Sequence, residues 1–208
     1  MSRALSLCGV ILAAGDSTRM GRDKALLPWP PVVAGQTPAG TFLSAAIASI
    51  SPVTEFVIVV AGRNASSIAP IVYATGASLV VNPDPDRGQF SSLQVGLQEV
   101  LNRGRDAAMV TLVDRPPVTP ETIQRLCEAF AAATARWRWA VVPQWAGRHG
   151  HPIVLSREMI EAFLKTEPTS MAREVEHANR DHIEYVDVED ASVIANINTP
   201  EDYALLTP

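Results

Sequence analysis

Leu5-Ser-Leu-Cys8-Gly-Val10-Ile-Leu12-Ala-Ala-Gly15-Asp-Ser-Thr-Arg19-Met-Gly21-Arg-Asp-Lys24 runs an almost wholly apolar stretch into a loop punctuated by glycine and cations. The apolar part, Leu5–Ala14, has the composition of a strand covered on both faces of a parallel sheet. A loop that leaves such a strand lies at the carboxyl edge of the sheet, where open α/β sheets bind their ligands. Gly15 and Gly21 permit close backbone approach, and Arg19, Arg22 and Lys24 supply positive charge. Successive backbone N–H groups in such a turn form a concave anion site, and Arg and Lys suit phosphate oxygens. Two established glycine motifs are excluded. The glycines stand six apart, unlike G-x-G-x-x-G, and Gly21 is followed by Arg22 and Asp23, unlike a Walker loop. Chemistry alone leaves a solvated surface loop as the competing reading.

Outward from this loop, short apolar runs alternate with helical patterns, the signature of a doubly wound sheet. Strands are predicted at Leu5–Ala14, Glu55–Gly62, Ser78–Asn82, Ala107–Val113, Trp139–Val142 and His151–Leu155. Helices are predicted at Thr41–Ile50, Ser91–Asn102, Thr119–Ala133 and Ser156–Lys165, where apolar residues recur three or four apart. Thr119-Pro120-Glu121 sets a cap, a first-turn proline and an acid in sequence. The Pro- and Gly-rich segment Trp29–Gly40 reads as a loop, and Ile183–Val188 and Ser192–Asn196 read as short strands before a last helix, Thr199–Leu206. The expected architecture is a three-layer α/β/α sandwich around a doubly wound, mostly parallel sheet, formed by residues 1–208 as one domain.

The 208 residues are 47% hydrophobic and 19% charged, which suits a globular chain with a full core. A net charge of −5 argues against a nucleic-acid binder with a broad basic face, though not against a triphosphate site built from a few converging cations. Cys8 and Cys127 fit no metal spacing and read as reduced core residues, which points to a cytoplasmic setting. Ala4–Ala14 has the apolarity of a signal-peptide core but no small-residue cleavage site follows it, so it is assigned to the first strand. No segment reaches the roughly 20 apolar residues of a membrane span.

Asp114 ends an apolar strand, where a buried, unpaired carboxylate is costly. At the carboxyl edge it can hold a hard divalent cation, since Mg2+ uses one or two carboxylates plus phosphate oxygens. Arg115-Pro-Pro-Val118 separates it too far from Thr119 to cap that helix. Ser91 and Ser92 open a helix after Gly88, so they either cap it or face a ligand. His149 and His151 form an H-x-H without a third ligand at suitable spacing, and His151 is assigned to orient an acceptor or pack beside Pro152. Trp137, Trp139 and Trp145 are assigned to core and rim.

Leu12–Pro28 (L-A-A-G-x-S-x-R-M-G-x-x-K-x-L-L-P) strongly resembles the signature of the nucleotidyltransferases related to molybdenum-cofactor enzymes, the molybdopterin cytidylyltransferases and guanylyltransferases. Four further stretches resemble that family's motifs in its own order. Asn82 with Gly88-Gln-Phe-Ser91-Ser92-Leu93 resembles its base-recognition loop, and Asp114-Arg-Pro116 its strand-end Asp-x-Pro. Gly150-His151-Pro152 resembles an acceptor-side segment, and Asn196-Ile-Asn198-Thr-Pro-Glu-Asp202 the family's terminal motif.

The resemblance implies a Rossmann-like nucleotidyltransferase fold and a site in which Arg19, Lys24 and Asp114 are catalytic. Leu12, Ala13, Ala14, Gly15, Arg19, Lys24, Asn82, Gly88, Ser91 and Ser92 would bind the nucleotide, His151 would stand on the acceptor side, and Asp114 with Asn198 would hold Mg2+ or Mn2+. Asn196 is left between metal and turn chemistry, and Asn-Ile-Asn departs from the Asp-x-Asp of many cytidylyltransferase-like members. Leu12-Ala-Ala-Gly15 favours CTP-dependent cytidylylation of a molybdenum-pterin cofactor over the guanylyltransferases, which commonly carry Gly-Gly there. The alternatives are GTP, a sugar- or alcohol-phosphate acceptor, and a non-catalytic nucleotide sensor or cofactor chaperone. The expected partners are an NTP, a small phosphate acceptor and a molybdoenzyme receiving the cofactor, with neither nucleic acid nor membrane.

Overall fold

The computed structural model describes residues 6–32 and 37–206. Strand β1 (Leu7–Ala13) leads into the loop, after which β2 (Pro28–Trp29) and β3 (Gly40–Thr41) pair as a two-stranded ribbon. There follow α1 (Phe42–Ile50), β4 (Val57–Ala61), α2 (Ala65–Ala74), β5 (Ser78–Val81), α3 (Gln89–Asn102), β6 (Ala107–Leu112) and α4 (Pro120–Thr134). The second half carries β7 (Ala140–Trp145), β8 (Arg148–His149), β9 (Ile153–Ser156), α5 (Arg157–Leu164), α6 (Ala172–Ala178), β10 (Ile183–Asp187) and α7 (Pro200–Ala204).

The main sheet runs β10-β7-β9-β6-β1-β4-β5, with β8 paired to β7 outside this path. All neighbours are parallel except β9, which is antiparallel to β6 and β7, and the hairpin partner β8. The chain steps from β1 to β4 and β5 on one side, then returns to lay β6 on the other side of β1. The topological switch therefore lies between β1 and β6, whose carboxyl ends are in register as Leu12 beside Leu112. Because β9 runs backwards, its amino end, with His151 just before it, reaches this same edge.

Strand β1 is buried at all seven positions and splits its side chains by period two. Leu7, Ile11 and Ala13 join the core under α1, α2 and α4, whereas Cys8, Val10 and Leu12 join the core under α3 and α5. Two buried faces require a continuous apolar run, and this is why the opening stretch reads as it does. Gly96 lets α3 lie close on the sheet, since a Cβ there would stand 2.7 Å from Val10 Cγ1 and 2.9 Å from Val60 Cγ2. Helix starts follow their caps: Thr119 Oγ1 accepts from Thr122 N, and Thr41 and Ser44 form a capping box.

Several predicted elements differ. Ser192–Asn196 is not a strand but a 3-10 turn, Ala191–Ile194, because the Asp190 side chain accepts from Ser192 N and starts a turn in a β-branched run. Helices α2 and α6 have no counterpart in the sequence reading, and α2 hides its period behind an internal Pro70. The Trp29–Gly40 segment is closed at its base by β2 and β3, while residues 33–36 lie outside the described part, as do Ala4 and Leu5 of the first run. Trp137 is 78% exposed and belongs to no core, whereas Trp139 packs against one and stacks on His182. Cys8 is a buried free thiol and Cys127 a half-buried one. Among the described residues no helix is long and apolar enough to cross a membrane.

The tight seat of α3 gives a direct check. Gly96→Val forces branched carbons against the stiff tips of Val10 and Val60 and is expected to cost about 1–3 kcal/mol in urea unfolding. An unchanged midpoint would show that α3 stands off the sheet.

Candidate active site

The loop after β1 is held by its own side chains. Ser17 takes a left-handed conformation, φ 51°, and its Oγ accepts from the backbone N of Lys24 at 3.1 Å, folding the loop back on itself. Asp23 accepts from Ala25 N at 2.9 Å and from Asn64 Nδ2 at 2.7 Å, and Asn64 also donates to Ala13 O. The amides from Gly15 to Arg19 donate to no group among the described residues. Gly15, with open space where a Cβ would stand, leaves that row of donors accessible. Such a row is an anion cradle.

The loop closes one wall of a cleft of about 320 Å³ at the switch point between β1 and β6. Three distant chain segments meet there. Lys24 Nζ lies 3.1 Å from Asp114 Oδ2 and donates to Asn198 Oδ1 at 3.0 Å, and Arg19 Nη2 donates to the same oxygen at 3.3 Å. Lys24 is 9% exposed, so its ammonium needs these oxygens as partners. Asp114 Oδ1 is buried and has no partner among the described residues. Asn198 is fixed from behind, since Asp202 accepts from the amides of Asn198 and Thr199, which holds its carboxyl below the usual range. Ile197 N donates to Asp114 O at 2.9 Å and ties the terminal segment to the end of β6.

These oxygens fit a hard cation. A buried orphan carboxylate oxygen beside a primary amide suits Mg2+ or Mn2+ that completes its shell with phosphate oxygens and water. No cluster of three or more His, Cys, Asp or Glu side chains able to hold a metal occurs among the described residues.

The predicted residues divide into those that reach the cleft and those that shape it. Leu12, Ala14, Gly15, Arg19, Lys24, Gly88, Ser92, Asp114 and Asn198 line it. Ala13 turns into the core, leaving only its backbone near the site. Asn82 is 4% exposed and donates to Ser91 Oγ and Ser92 Oγ at 2.9 Å each, while its Oδ1 accepts from Asp84 N. Asn82 and Ser91 therefore set the turn that brings Gly88 and Gln89 to the cleft, and neither lines it. Arg22 leaves the site and lies over the Tyr203 ring, 5.9 Å from its centroid. Gln89, within the base-recognition motif, lines the cleft too, and Pro85, Thr18 and Val113 line it without having been singled out in the sequence.

A second pocket of about 460 Å³ adjoins the first and shares Leu12, Gly88, Gln89 and Leu112 with it. His151 and Arg115 stand in its wall. Arg115 Nη1 donates to the carbonyls of Val193 and Ala195, and His151 N donates to Val193 O, so both residues pin the same turn. Burial, helped by the Arg115 charge, pushes His151 down to about 3, so the ring is neutral at neutral pH. His149 stacks on Tyr185, and among the described residues it belongs to no group of three or more metal-ligating side chains.

Comparison with known proteins gives the chain a family. The family model described as "MobA-like NTP transferase domain" matches residues 9–183. The chain is 27% identical over 197 residues to the molybdenum cofactor cytidylyltransferase of Escherichia coli K12, covering 93% of this chain and 92% of that protein. It is 27% identical over 214 residues to the molybdenum cofactor guanylyltransferase of Rhodobacter capsulatus, covering 96% and 94%. A crystal structure of Rv0371c from Mycobacterium tuberculosis H37Rv in complex with manganese superposes with a TM-score of 0.75 at 26% identity, covering 97% of each chain. The chain belongs to the MobA-like NTP transferase family and is a nucleotidyltransferase of the Rossmann-like α/β fold.

The buried imidazole predicts a pH dependence of stability. Below its ordinary 6.5 the unfolded chain takes up a proton that the folded chain, at about 3, refuses, so stability falls as pH drops from 6.5. Between about pH 7 and about pH 5 the wild type is expected to lose about 1–2 kcal/mol more than His151→Gln in urea unfolding. Equal losses would show a solvated ring.

Proposed function

We propose that this member of the family transfers a nucleoside monophosphate, CMP first, from its triphosphate to the phosphate of a molybdenum-pterin cofactor, with release of pyrophosphate. The observation that carries the reading is the junction of Lys24, Asp114 and Asn198 beneath the row of free loop amides. Both named relatives act on the molybdenum cofactor, one in the cytidylyl and one in the guanylyl branch.

In this reading the triphosphate lies along the Gly15–Arg19 amides, with Arg19 and Lys24 on its outer phosphates. An oxygen of the acceptor phosphate attacks the α-phosphorus, a new O–P bond forms, and the bond to the β-phosphate oxygen breaks. The acceptor is already anionic and needs little general-base help, so the protein's work is to position the reactants and neutralise charge. Lys24 serves the leaving pyrophosphate, its ammonium moving from Asp114 to phosphate oxygens. Asp114 and Asn198 would hold the divalent cation, which when bound offsets charge on the phosphates. The acceptor would enter the adjoining pocket, where neutral His151 orients it without acting as a base. Residues 1–208 act as one catalytic domain.

The choice of CTP rests on the resemblance of Leu12-Ala-Ala-Gly15 to the cytidylyl branch. GTP is the second reading, favoured by Asn196-Ile-Asn198, a pattern that occurs in the guanylyl branch.

Pyrophosphate release measured with each NTP, a molybdenum-pterin acceptor and Mg2+ or Mn2+ tests the assignment. Lys24→Ala is expected to lower turnover about 100-fold with an unchanged far-UV spectrum, as for loss of one preorganised donor to developing charge. Retained turnover in that variant would count against the site. Nucleotide binding without pyrophosphate release from the wild type would favour a sensor.

A further inference from the structure

The pocket beside the nucleotide cleft carries a carboxylate that the reaction above does not use. Glu176, on α6, lines this pocket but not the nucleotide cleft. It is half-buried, and its carboxylate has no hydrogen bond or ion pair among the described residues. The cations in the same wall do not neutralise it. Arg87 pairs with Asp84 at 2.8 Å, Arg115 is turned to the carbonyls of Val193 and Ala195, and Arg173, three residues before it, forms no ion pair with it. Loss of water without a partner holds the Glu176 carboxyl above its ordinary range.

A carboxylate in this setting asks for N–H donors. Its two oxygens lie in one plane and match two parallel N–H groups, the arrangement that makes paired donors the strongest partners of Asp and Glu. The walls around it suit a flat ring, since Phe90, Leu93, Ile153 and Met171 line the same pocket. The pocket is also polarised along its length. It meets the nucleotide cleft at Leu12, Gly88, Gln89 and Leu112, which line both, while α6 with Glu176 lines this pocket alone. An acceptor carrying both a phosphate and a ring would therefore enter with its phosphate toward these shared residues and its ring toward the Glu176 carboxylate, which repels a phosphate.

We propose that Glu176 is the specificity-determining residue of the acceptor pocket, accepting from the adjacent ring N–H and exocyclic amine of a 2-amino-4-oxopteridine whose phosphate lies toward Asp114. This rests on the proposed function and adds to it the group that reads the acceptor's ring. An acceptor lacking the paired donors, such as a simple sugar phosphate, leaves the carboxylate desolvated and unmatched.

Quenching of pteridine fluorescence on the intact chain tests it, with pterin as probe and lumazine as control. Lumazine carries oxygen in place of the 2-amino group and so presents an acceptor where Glu176 needs a donor. The wild type is expected to bind pterin about tenfold more tightly than lumazine. Glu176→Gln is expected to weaken pterin binding about tenfold and erase the difference, with CTP binding and the far-UV spectrum unchanged. Equal binding of the two pteridines by the wild type, no pterin binding at all, or pterin affinity unchanged in Glu176→Gln would each overturn the proposal. The two readings fail separately. Transfer to a molybdenum-pterin cofactor with the same acceptor KM in Glu176→Gln would remove Glu176 and leave the function. Glu176-dependent discrimination without any transfer would keep the ring reading and remove the reaction.

Discussion

The pairing of Lys24 with Asp114 and Asn198 holds the functional end of the molecule together. It brings a residue from the first loop to one at the end of the sixth strand and one near the carboxyl end, separations of 90 and 174 positions. A lysine at 9% exposure cannot stand there without oxygens to receive it, and the half-buried Asp114 gains from the cation beside it. The rest of the edge is arranged around this need. Ser17 folds the loop so that Lys24 points inward, Asp202 fixes the backbone of Asn198, and Arg115 and His151 pin the turn at Val193.

Replacing a buried ion pair by apolar residues is often neutral or stabilising, so stability alone gives such a junction little reason to exist. In the proposed reaction its value lies in exchange. The oxygens that satisfy the ammonium in the free protein suit a divalent cation, and the ammonium suits the phosphates such a cation accompanies. The neutral amide of Asn198 fits this account. It accepts from Lys24 and Arg19 together without adding a second negative charge to a cleft proposed to admit a triphosphate.

Much of this was legible in the sequence because a few residues do their work locally. The unbroken apolar run of β1 follows from burial on both faces, and the glycines and cations of the loop belong to one turn. Asp114 was legible because a carboxylate ending an apolar strand asks for a partner. Other features depend on distant contacts. Nothing near Asn82 reveals that its amide is consumed by Ser91 and Ser92, and nothing near Arg22 shows that it leaves the cleft for Tyr203. The run Ser192–Asn196 has strand-like side chains, yet the Asp190 cap and the use of the Val193 carbonyl by His151 and Arg115 make it a turn. Glu176 is equally silent in sequence. Its position on a seven-residue helix acquires meaning only through the pocket it faces.

In the proposed reaction the Lys24–Asp114–Asn198 junction is the metal and triphosphate site, held together by an internal ammonium until substrate arrives. Diffraction at the manganese absorption edge from crystals grown with Mn2+ and a non-hydrolysable CTP analogue tests this most directly. An anomalous peak is expected at ligating distance from Asp114, with the Lys24 ammonium moved off the carboxylate and onto phosphate oxygens. A peak elsewhere, with the Lys24–Asp114 pair intact beneath bound nucleotide, would contradict it.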